Sequence, residues 1–203
     1  PVGSIGSYVF NRCTALEELT LPYAGQSLES VNKADSSERV ASRLFNNNVS
    51  DKTYYDKWSY YIPNSLKKIT ITGGTRIPTN AFSGFKGVTE FVLPEGITSI
   101  GDYAFYNCES LPSNPMPSTV KVIGSHAYDG CKSLKVFTVP SSVETIGSYA
   151  FANCTGFTSI TVPKTIKTLG DYAFSDCTSL KKVVIKPVGS IGSYVFNRCT
   201  ALE

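Results

Sequence analysis

Apolar residues recur along most of this chain with a period of 23 residues. The period is marked by five dipeptides at equal steps, Ala81-Phe82, Ala104-Phe105, Ala127-Tyr128, Ala150-Phe151 and Ala173-Phe174. Around each dipeptide the unit reads roughly L-x-x-L-x-L-P-x-x-V-x-x-I-G-x-x-A-F-x-x-C-x-x. The L-x-L alternation places apolar side chains on one face of a short strand, and the proline ends the strand because it lacks an N–H for the ladder. The glycine then permits a tight bend, and A-F-x-x-C turns the chain back with two more buried groups.

A single unit of this kind buries too little apolar surface to offset the cost of ordering its backbone. Stacked units share their apolar faces and can fold together. The pattern therefore predicts a repeat solenoid, made mostly of short parallel strands, with one irregular insertion.

The blocks L-x-x-L-x-L-P, I-G-x-x-A-F and C-x-x-L resemble the BspA-like, Treponema-type leucine-rich repeat. The resemblance covers nearly all of residues 1–22 and 66–203. It implies a right-handed, curved solenoid of the α/β-type class with a parallel sheet on its concave face. It also implies an extracellular protein of the cell surface, as in bacteria and some parasitic protists, linked to adhesion to host matrix or to other microbes.

The rhythm breaks over residues 23–65. Val9-Phe10 stands 72 residues before Ala81-Phe82, whereas three regular units span 69. Degenerate repeats or an insertion could fill this interval, and the absence of a second A-F or C-x-x-L block favours an insertion. Ser36-Ser37-Glu38 predicts the start of a short helix with Val40, Ala41, Leu44 and Phe45 on one side.

The first seventeen residues, PVGSIGSYVFNRCTALE, return unchanged as residues 187–203, at an offset of 186. Neighbouring repeats agree only at framework positions, so this identity indicates one 186-residue superrepeat plus overlap. Neither end shows the polar cap that an isolated solenoid needs. We therefore expect further copies of the same unit as partners, joined covalently or head to tail.

Composition excludes several classes of protein. Of the 203 residues 41% are hydrophobic and 17% charged, and the net charge of +3 is too small to argue for nucleic-acid binding. No stretch of eighteen apolar residues occurs, so this segment is not expected to span a membrane.

We call the Phe or Tyr of each repeated dipeptide the anchor of its repeat. Each of the six cysteines stands three residues after an anchor: Cys13, Cys108, Cys131, Cys154, Cys177 and Cys199. Zinc sites need close pairs such as C-x-x-C, which are missing, and one repeat has Phe85 in the cysteine position. The pattern predicts a structural ladder of buried thiols and neither a metal nor a cofactor.

The single histidine, His126, occupies a slot held elsewhere by Tyr8, Tyr103, Tyr149, Tyr172 and Tyr194. Catalysis would require a nucleophile or carboxylate partner outside the framework positions, and the sequence offers none. The histidine is interpreted as part of a structural aromatic column, and the protein is predicted not to be an enzyme.

Two sets of residues are candidates for binding. Five aromatic residues of the insertion fall within eight positions: Tyr54, Tyr55, Trp58, Tyr60 and Tyr61. Exposed, they would stack on sugars or anchor a protein interface; buried, they would fasten the insertion to the solenoid. Five lysines at outward strand positions, Lys67, Lys68, Lys135, Lys181 and Lys182, could form a basic patch for an acidic glycan or protein. The alternative for the lysines is a merely solvated face.

Two functions fit these features. The first is a structural and adhesive unit of a cell-surface fibre or giant tandem-repeat protein. The second is a discrete binding module that recognises a host or microbial protein or glycan through its concave face or its insertion.

Overall fold

The chain forms a solenoid of short parallel strands. A computed structural model describes residues 7–24, 40, 44–45, 62–135, 138–186 and 189–203. The strands in these residues are β1 (Glu18–Leu21), β2 (Lys68–Ile71), β3 (Arg76–Ile77), β4 (Glu90–Val92), β5 (Ser99–Ile100), β6 (Val122–Ile123), β7 (Thr145–Ile146), β8 (Ser159–Val162), β9 (Thr168–Leu169), β10 (Lys182–Ile185) and β11 (Ser190–Ile191). Every strand pair is parallel.

The first face carries the L-x-L strands, which form one sheet in the order β1-β2-β4 and another in the order β10-β8. Between these sheets the unit after Leu111 lacks a full strand and retains only a bridge at Ser113. Pro112 and Pro115 explain the interruption, because proline cannot donate to the ladder. We call the face formed by β1, β2, β4, β8 and β10, together with the outward positions between them, the L-x-L face.

The second face is a continuous six-stranded sheet in the order β11-β9-β7-β6-β5-β3. Its two-residue strands come from the V-x-x-I block, which the sequence pattern did not identify as a strand. The apolar residue of each strand pairs with its equivalent in the next turn, as Ile100 does with Ile123 and Ile123 with Ile146. We call this sheet the long sheet.

The glycine after this block has a different role from the predicted bend. Neither Gly147 nor Gly170 has a φ in the left-handed region. A Cβ on Gly147 would lie 2.6 Å from the backbone nitrogen of Ser125, and one on Gly170 would lie 2.5 Å from that of Ser148. Glycine is therefore required because the previous turn passes too close for any side chain.

The A-F-x-x-C loops form a third side of the solenoid and bond to one another turn by turn. Phe82 N donates to Ala104 O at 2.7 Å, and Phe105 N donates to Ala127 O at 2.7 Å. The anchor rings stack in the same direction: Phe105 lies 5.0 Å from Tyr128, which lies 5.2 Å from Phe151. The core lies between these loops and the two strand faces and includes the aromatic stack, which matches the predicted leucine-rich repeat solenoid.

The irregular region between β1 and β2 is one enlarged turn. Glu18 pairs with Lys68, an offset of 50, and Lys68 pairs with Glu90, an offset of 22. The 72-residue interval therefore holds two turns (50 + 22), one enlarged and one regular.

Part of the enlarged turn takes the place of an A-F-x-x-C loop. Phe10 N donates to Leu44 O at 2.9 Å, and Val40 N donates to Ala81 O at 2.9 Å. Phe45 is fully buried, with its ring 6.4 Å from those of Phe10 and Phe85. Leu44 O thus accepts the bond that the anchor alanine accepts in other turns, while Val40 N, and not Phe45 N, donates to the next turn. Val40 and Leu44 have helical backbone, in the region where the helix was predicted.

Candidate functional site

The candidate lysines lie on the L-x-L face but are spread along it. Lys67, Lys135, Lys181 and Lys182 are exposed and Lys68 is partly exposed. Parallel strands are about 4.8 Å apart, so five turns place Lys67 roughly 24 Å from Lys181. The lysines form two pairs, with Lys135 between them, and do not come together in one patch.

The first of these pairs is partly neutralised. Lys68 Nζ lies 3.0 Å from Glu90 Oε1 on the neighbouring strand, and the hydrogen bond and charge of Glu90 raise the pKa of Lys68. Lys67 Nζ donates to Gly87 O at 3.3 Å. Lys181 and Lys182 therefore present the stronger positive charge of the two pairs.

The five aromatic residues Tyr54, Tyr55, Trp58, Tyr60 and Tyr61 lie outside the described residues. The segment that follows them is fastened to the first turn. Ser65 Oγ lies 2.8 Å from Thr14 O and 2.7 Å from Leu16 O, so that its single O–H can donate to either carbonyl, and Leu66 is fully buried. Sequence reasoning missed this serine.

Five of the six cysteines are buried, and each thiol donates to the carbonyl oxygen of the anchor aromatic one turn earlier. The donor pairs are Cys108 to Phe82, Cys131 to Phe105, Cys154 to Tyr128, Cys177 to Phe151 and Cys199 to Phe174, at 3.2–3.3 Å. Burial raises the pKa of the Cys131 and Cys154 thiols well above its usual range. The Cys131 and Cys154 thiols are therefore protonated hydrogen-bond donors and poor nucleophiles.

Cys13 differs from the other five because its side chain is exposed. The described residues include no earlier turn whose carbonyl could face this thiol. In this structure the ladder therefore runs from Cys108 to Cys199.

His126 stacks within the aromatic column, as its position in the repeat predicts. Its ring lies 4.6 Å from that of Tyr103 and 4.7 Å from that of Tyr149, in nearly parallel planes. All these rings are carried by residues with positive φ, including Tyr103 at 55° and His126 at 53°. Each inner ring of the column, those of His126, Tyr149 and Tyr172, is covered on both faces, whereas the ring of Tyr194 at the end of the column is 65% exposed.

His126 also has a charged partner that the sequence analysis missed. Its Nδ1 donates to Asp129 Oδ2 at 2.8 Å, and Asn153 Nδ2 donates to Asp129 Oδ1 at 2.9 Å. Asp129 is only 7% exposed, so these two bonds satisfy a buried carboxylate. The sequence gives a signal for His126, which replaces a tyrosine, but none for Asp129, whose column varies from turn to turn (Ser83, Tyr106, Ala152, Ser175 and Asn197).

No three His, Cys, Asp or Glu side chains within the described ranges cluster so that they could hold a metal ion. In that same part of the chain no helix is long and apolar enough to cross a membrane.

Comparison with known proteins assigns the repeat. The model of the BspA type leucine-rich repeat region matches residues 1–111, 53–154 and 75–203. The chain belongs to this family. No curated protein matches it.

Several solved structures of bacterial leucine-rich repeat proteins are similar to this chain. A leucine-rich repeat protein of T. pallidum is 32% identical with a TM-score of 0.64, over 68% of this chain and 66% of that one. A leucine-rich repeat protein from Bacteroides ovatus is 29% identical with a TM-score of 0.63, over 78% and 44% of the two chains. The pneumococcal vaccine antigen PcpA is 26% identical with a TM-score of 0.61, over 90% and 44%. The chain thus spans less than two thirds of the length of these relatives.

Proposed function

We propose that this chain is a structural and adhesive unit of an extracellular cell-surface protein, in which 186-residue units follow one another as one solenoid. The observation that carries the proposal is the identity of residues 1–17 with residues 187–203. In their described parts, residues 7–17 and 193–203, both copies have left-handed backbone at the same two positions, with φ of 61° at Tyr8 and 57° at Tyr194, and of 60° at Arg12 and 56° at Arg198. The solenoid thus returns to the same sequence and the same local shape after one period.

A non-catalytic role is supported by the state of the reactive side chains. The buried thiols donate to carbonyl oxygens, and His126 lies between two tyrosine rings with its Nδ1 bonded to Asp129. These contacts occupy the groups that catalysis would use. Location at the cell surface is supported by the family and by the likeness to a pneumococcal vaccine antigen.

The denatured mass of the protein from its source tests the tandem arrangement. A mass many times the 22.0 kDa of this chain is expected for a covalent array. A mass near one or two periods would contradict it. Antibodies raised against the chain should label intact cells; labelling that requires permeabilised cells would contradict a surface location.

A discrete binding module is the second candidate, favoured by the exposed positive charge at Lys181 and Lys182. We expect the double variant Lys181→Glu/Lys182→Glu to weaken adherence to an acidic glycan surface. The matched control is Lys121→Glu/Lys167→Glu, which makes the same charge change beside the long sheet. Equal loss in both variants would indicate net charge and not a site.

The insertion is tested separately through Trp58. If it is a binding surface, Trp58→Ala abolishes adherence and leaves the unfolding temperature unchanged. If the ring packs on the solenoid, stability is lost while adherence of the remaining folded protein is retained.

A further inference from the structure

We infer that residues 112–117 form a strap with two positions, and that in the second the Asn114 side chain turns into the core and accepts a hydrogen bond from the Tyr128 hydroxyl. We call the arrangement in this structure the outer position and the second arrangement the inner position. The inference concerns a movement within one unit, so it goes beyond the proposed function and does not depend on how units are joined.

The strap carries a polar residue at a core position of the repeat. Asn114 stands 23 residues after Phe91, in the column of inward side chains of the L-x-L face. Other members of this column, such as Ile69, Phe91 and Ile160, are apolar and buried. Asn114 is partly exposed instead, and its Nδ2 donates to Thr138 O of the following turn at 3.2 Å. In the outer position the amide therefore makes its bond at the surface and not in the core.

The Tyr128 hydroxyl lies in the core without an acceptor. Tyr128 is fully buried with its ring stacked between those of Phe105 and Phe151, and every other anchor of the chain is phenylalanine. Burial raises the pKa of Tyr128 well above its usual range, so the group is a neutral O–H. No described residue bonds to this hydroxyl. A buried donor of this kind is destabilising, so an arrangement that supplies an acceptor is favoured.

The repeat places these two exceptions beside each other. One turn earlier, the residues equivalent to Asn114 and Tyr128 are Phe91 and Phe105, whose ring centroids are 5.0 Å apart. An inward side chain at position 114 is therefore directed at the Tyr128 ring. The carboxamide Oδ1 is an acceptor that phenylalanine, leucine or isoleucine at this position could not provide.

The strap is held by fewer backbone bonds than the neighbouring strands. Thr89 N donates to Lys67 O at 2.9 Å, whereas the equivalent Pro112 has no N–H. Pro115 also lacks a donor, and the strap retains only a bridge at Ser113. Few backbone bonds therefore oppose a shift of residues 113–116.

The two positions exchange one hydrogen bond for another. Moving inward releases Thr138 O at the surface, where water replaces the amide, and gives the buried Tyr128 hydroxyl its acceptor. The inner position also gives Asn114 the orientation that Ile69 and Ile160 have within β2 and β8. The strap therefore switches the L-x-L face between an interrupted and a more continuous form.

A double-mutant cycle between Asn114→Leu and Tyr128→Phe, measured by urea unfolding, tests the inference. We expect Tyr128→Phe to lower the folding equilibrium constant by about threefold in the parent chain, because the bond to Asn114 is lost. In the Asn114→Leu background the hydroxyl has no acceptor, so the same change should raise the constant by about threefold. Effects of the same sign in both backgrounds would overturn the inference.

Two further variants control this cycle. Asn114→Ala removes the acceptor without adding bulk, so it repeats the test where the leucine variant does not fold. Tyr103→Phe removes a hydroxyl from an exposed ring, and its effect should be the same with and without Asn114. Coupling of Asn114 to Tyr103 as strong as its coupling to Tyr128 would overturn the assigned bond.

The movement itself is measured by nuclear Overhauser contacts of the Asn114 side-chain amide. Its protons lie near Thr138 in the outer position and near the ring protons of residue 128 in the inner position. Tyr128→Phe removes the bond that favours the inner position but keeps the ring protons. We expect the intensity ratio of the Thr138 contact to the ring contact to rise by at least about twofold in this variant. An unchanged ratio would overturn the switch.

Discussion

Residues 7–17 and 193–203 have the same sequence and the same loop backbone, yet their side chains have different surroundings. Val9 is 52% exposed and Val195 only 5%. Cys13 is exposed, whereas Cys199 is buried and its thiol donates to Phe174 O at 3.2 Å. Sequence and backbone are constant between the two segments, so the neighbouring turn decides burial.

Together the two segments show the two sets of contacts that an internal turn makes, one with the preceding turn and one with the following turn. Residues 193–203 are packed against the turn that precedes them, through Phe174 N to Val195 O. Residues 7–17 are packed against the turn that follows them, through Leu44 and Ser65. An internal turn of the solenoid has both sets of contacts, which is why stability in such folds is largely a sum of interfaces between turns.

The largest expected difference between the segments is at the cysteines. Cys199→Asp should lower the free energy of unfolding by about 3–5 kcal/mol, because it buries a carboxylate without a partner. Cys13→Asp, in the identical local sequence, should cost less than about 0.5 kcal/mol since its side chain is exposed. Urea unfolding of both variants measures the difference.

The controls for this pair are Cys199→Ala and Cys13→Ala, which remove the thiol without adding charge. Similar losses for the two aspartate variants would show that neighbouring turns do not set the environment of these thiols.

A smaller effect is expected where two turns share a buried carboxylate. His126→Tyr restores the column residue but removes a donor to Asp129, and should destabilise by about 2 kcal/mol. Adding Asp129→Ala restores the pattern of the next turn, which has Tyr149 and Ala152, and should recover most of this loss. Thermal unfolding of the single and double variants gives the coupling free energy. Additive losses would mean that the pair is not coupled.

Much of this architecture could be predicted from the sequence because its signals are periodic. The anchor dipeptides fixed the period, and the position of His126 among tyrosines indicated its place in the stack. Each of these features depends on a residue type whose physical requirement is the same in every turn. The interruption of the L-x-L face at Pro112 and Pro115 was not predicted, because these positions were assigned to outward strand columns like those of the other turns.

The remaining features depend on contacts between turns, which a single repeat does not encode. Gly147 and Gly170 are explained by the close passage of the previous backbone, and not by the bend that the pattern suggested. Leu44 was placed on a helix face and has helical backbone, but its carbonyl also accepts the bond that an anchor alanine accepts in other turns. The third position after Phe45 is Asn48 and not cysteine, so the motif was not recognised.

Within the identical segments, the valines give a purely apolar comparison. Val195→Ala should cost about 1.5 kcal/mol, corresponding to two buried methyl groups. Val9→Ala should cost little, because the side chain is about half exposed. Differential scanning calorimetry of the two variants reports the difference in unfolding temperature. Losses of equal size would indicate that Val9 is covered in solution by a contact that the structure does not contain.

The smallest expected difference is electrostatic. Arg198 Nη1 lies 3.7 Å from Asp176 Oδ1 of the preceding turn, but the arginine side chain is 75% exposed. Exposed pairs of this kind contribute about 0.2–1 kcal/mol, so Arg198→Ala should destabilise by roughly 0.3 kcal/mol more than Arg12→Ala at low salt. The difference should vanish near 1 M salt, where charges are screened within about 3 Å. If it persists there, the two arginines differ through the packing of their methylene groups, and the preceding turn acts on this position as it acts on Val195 and Cys199.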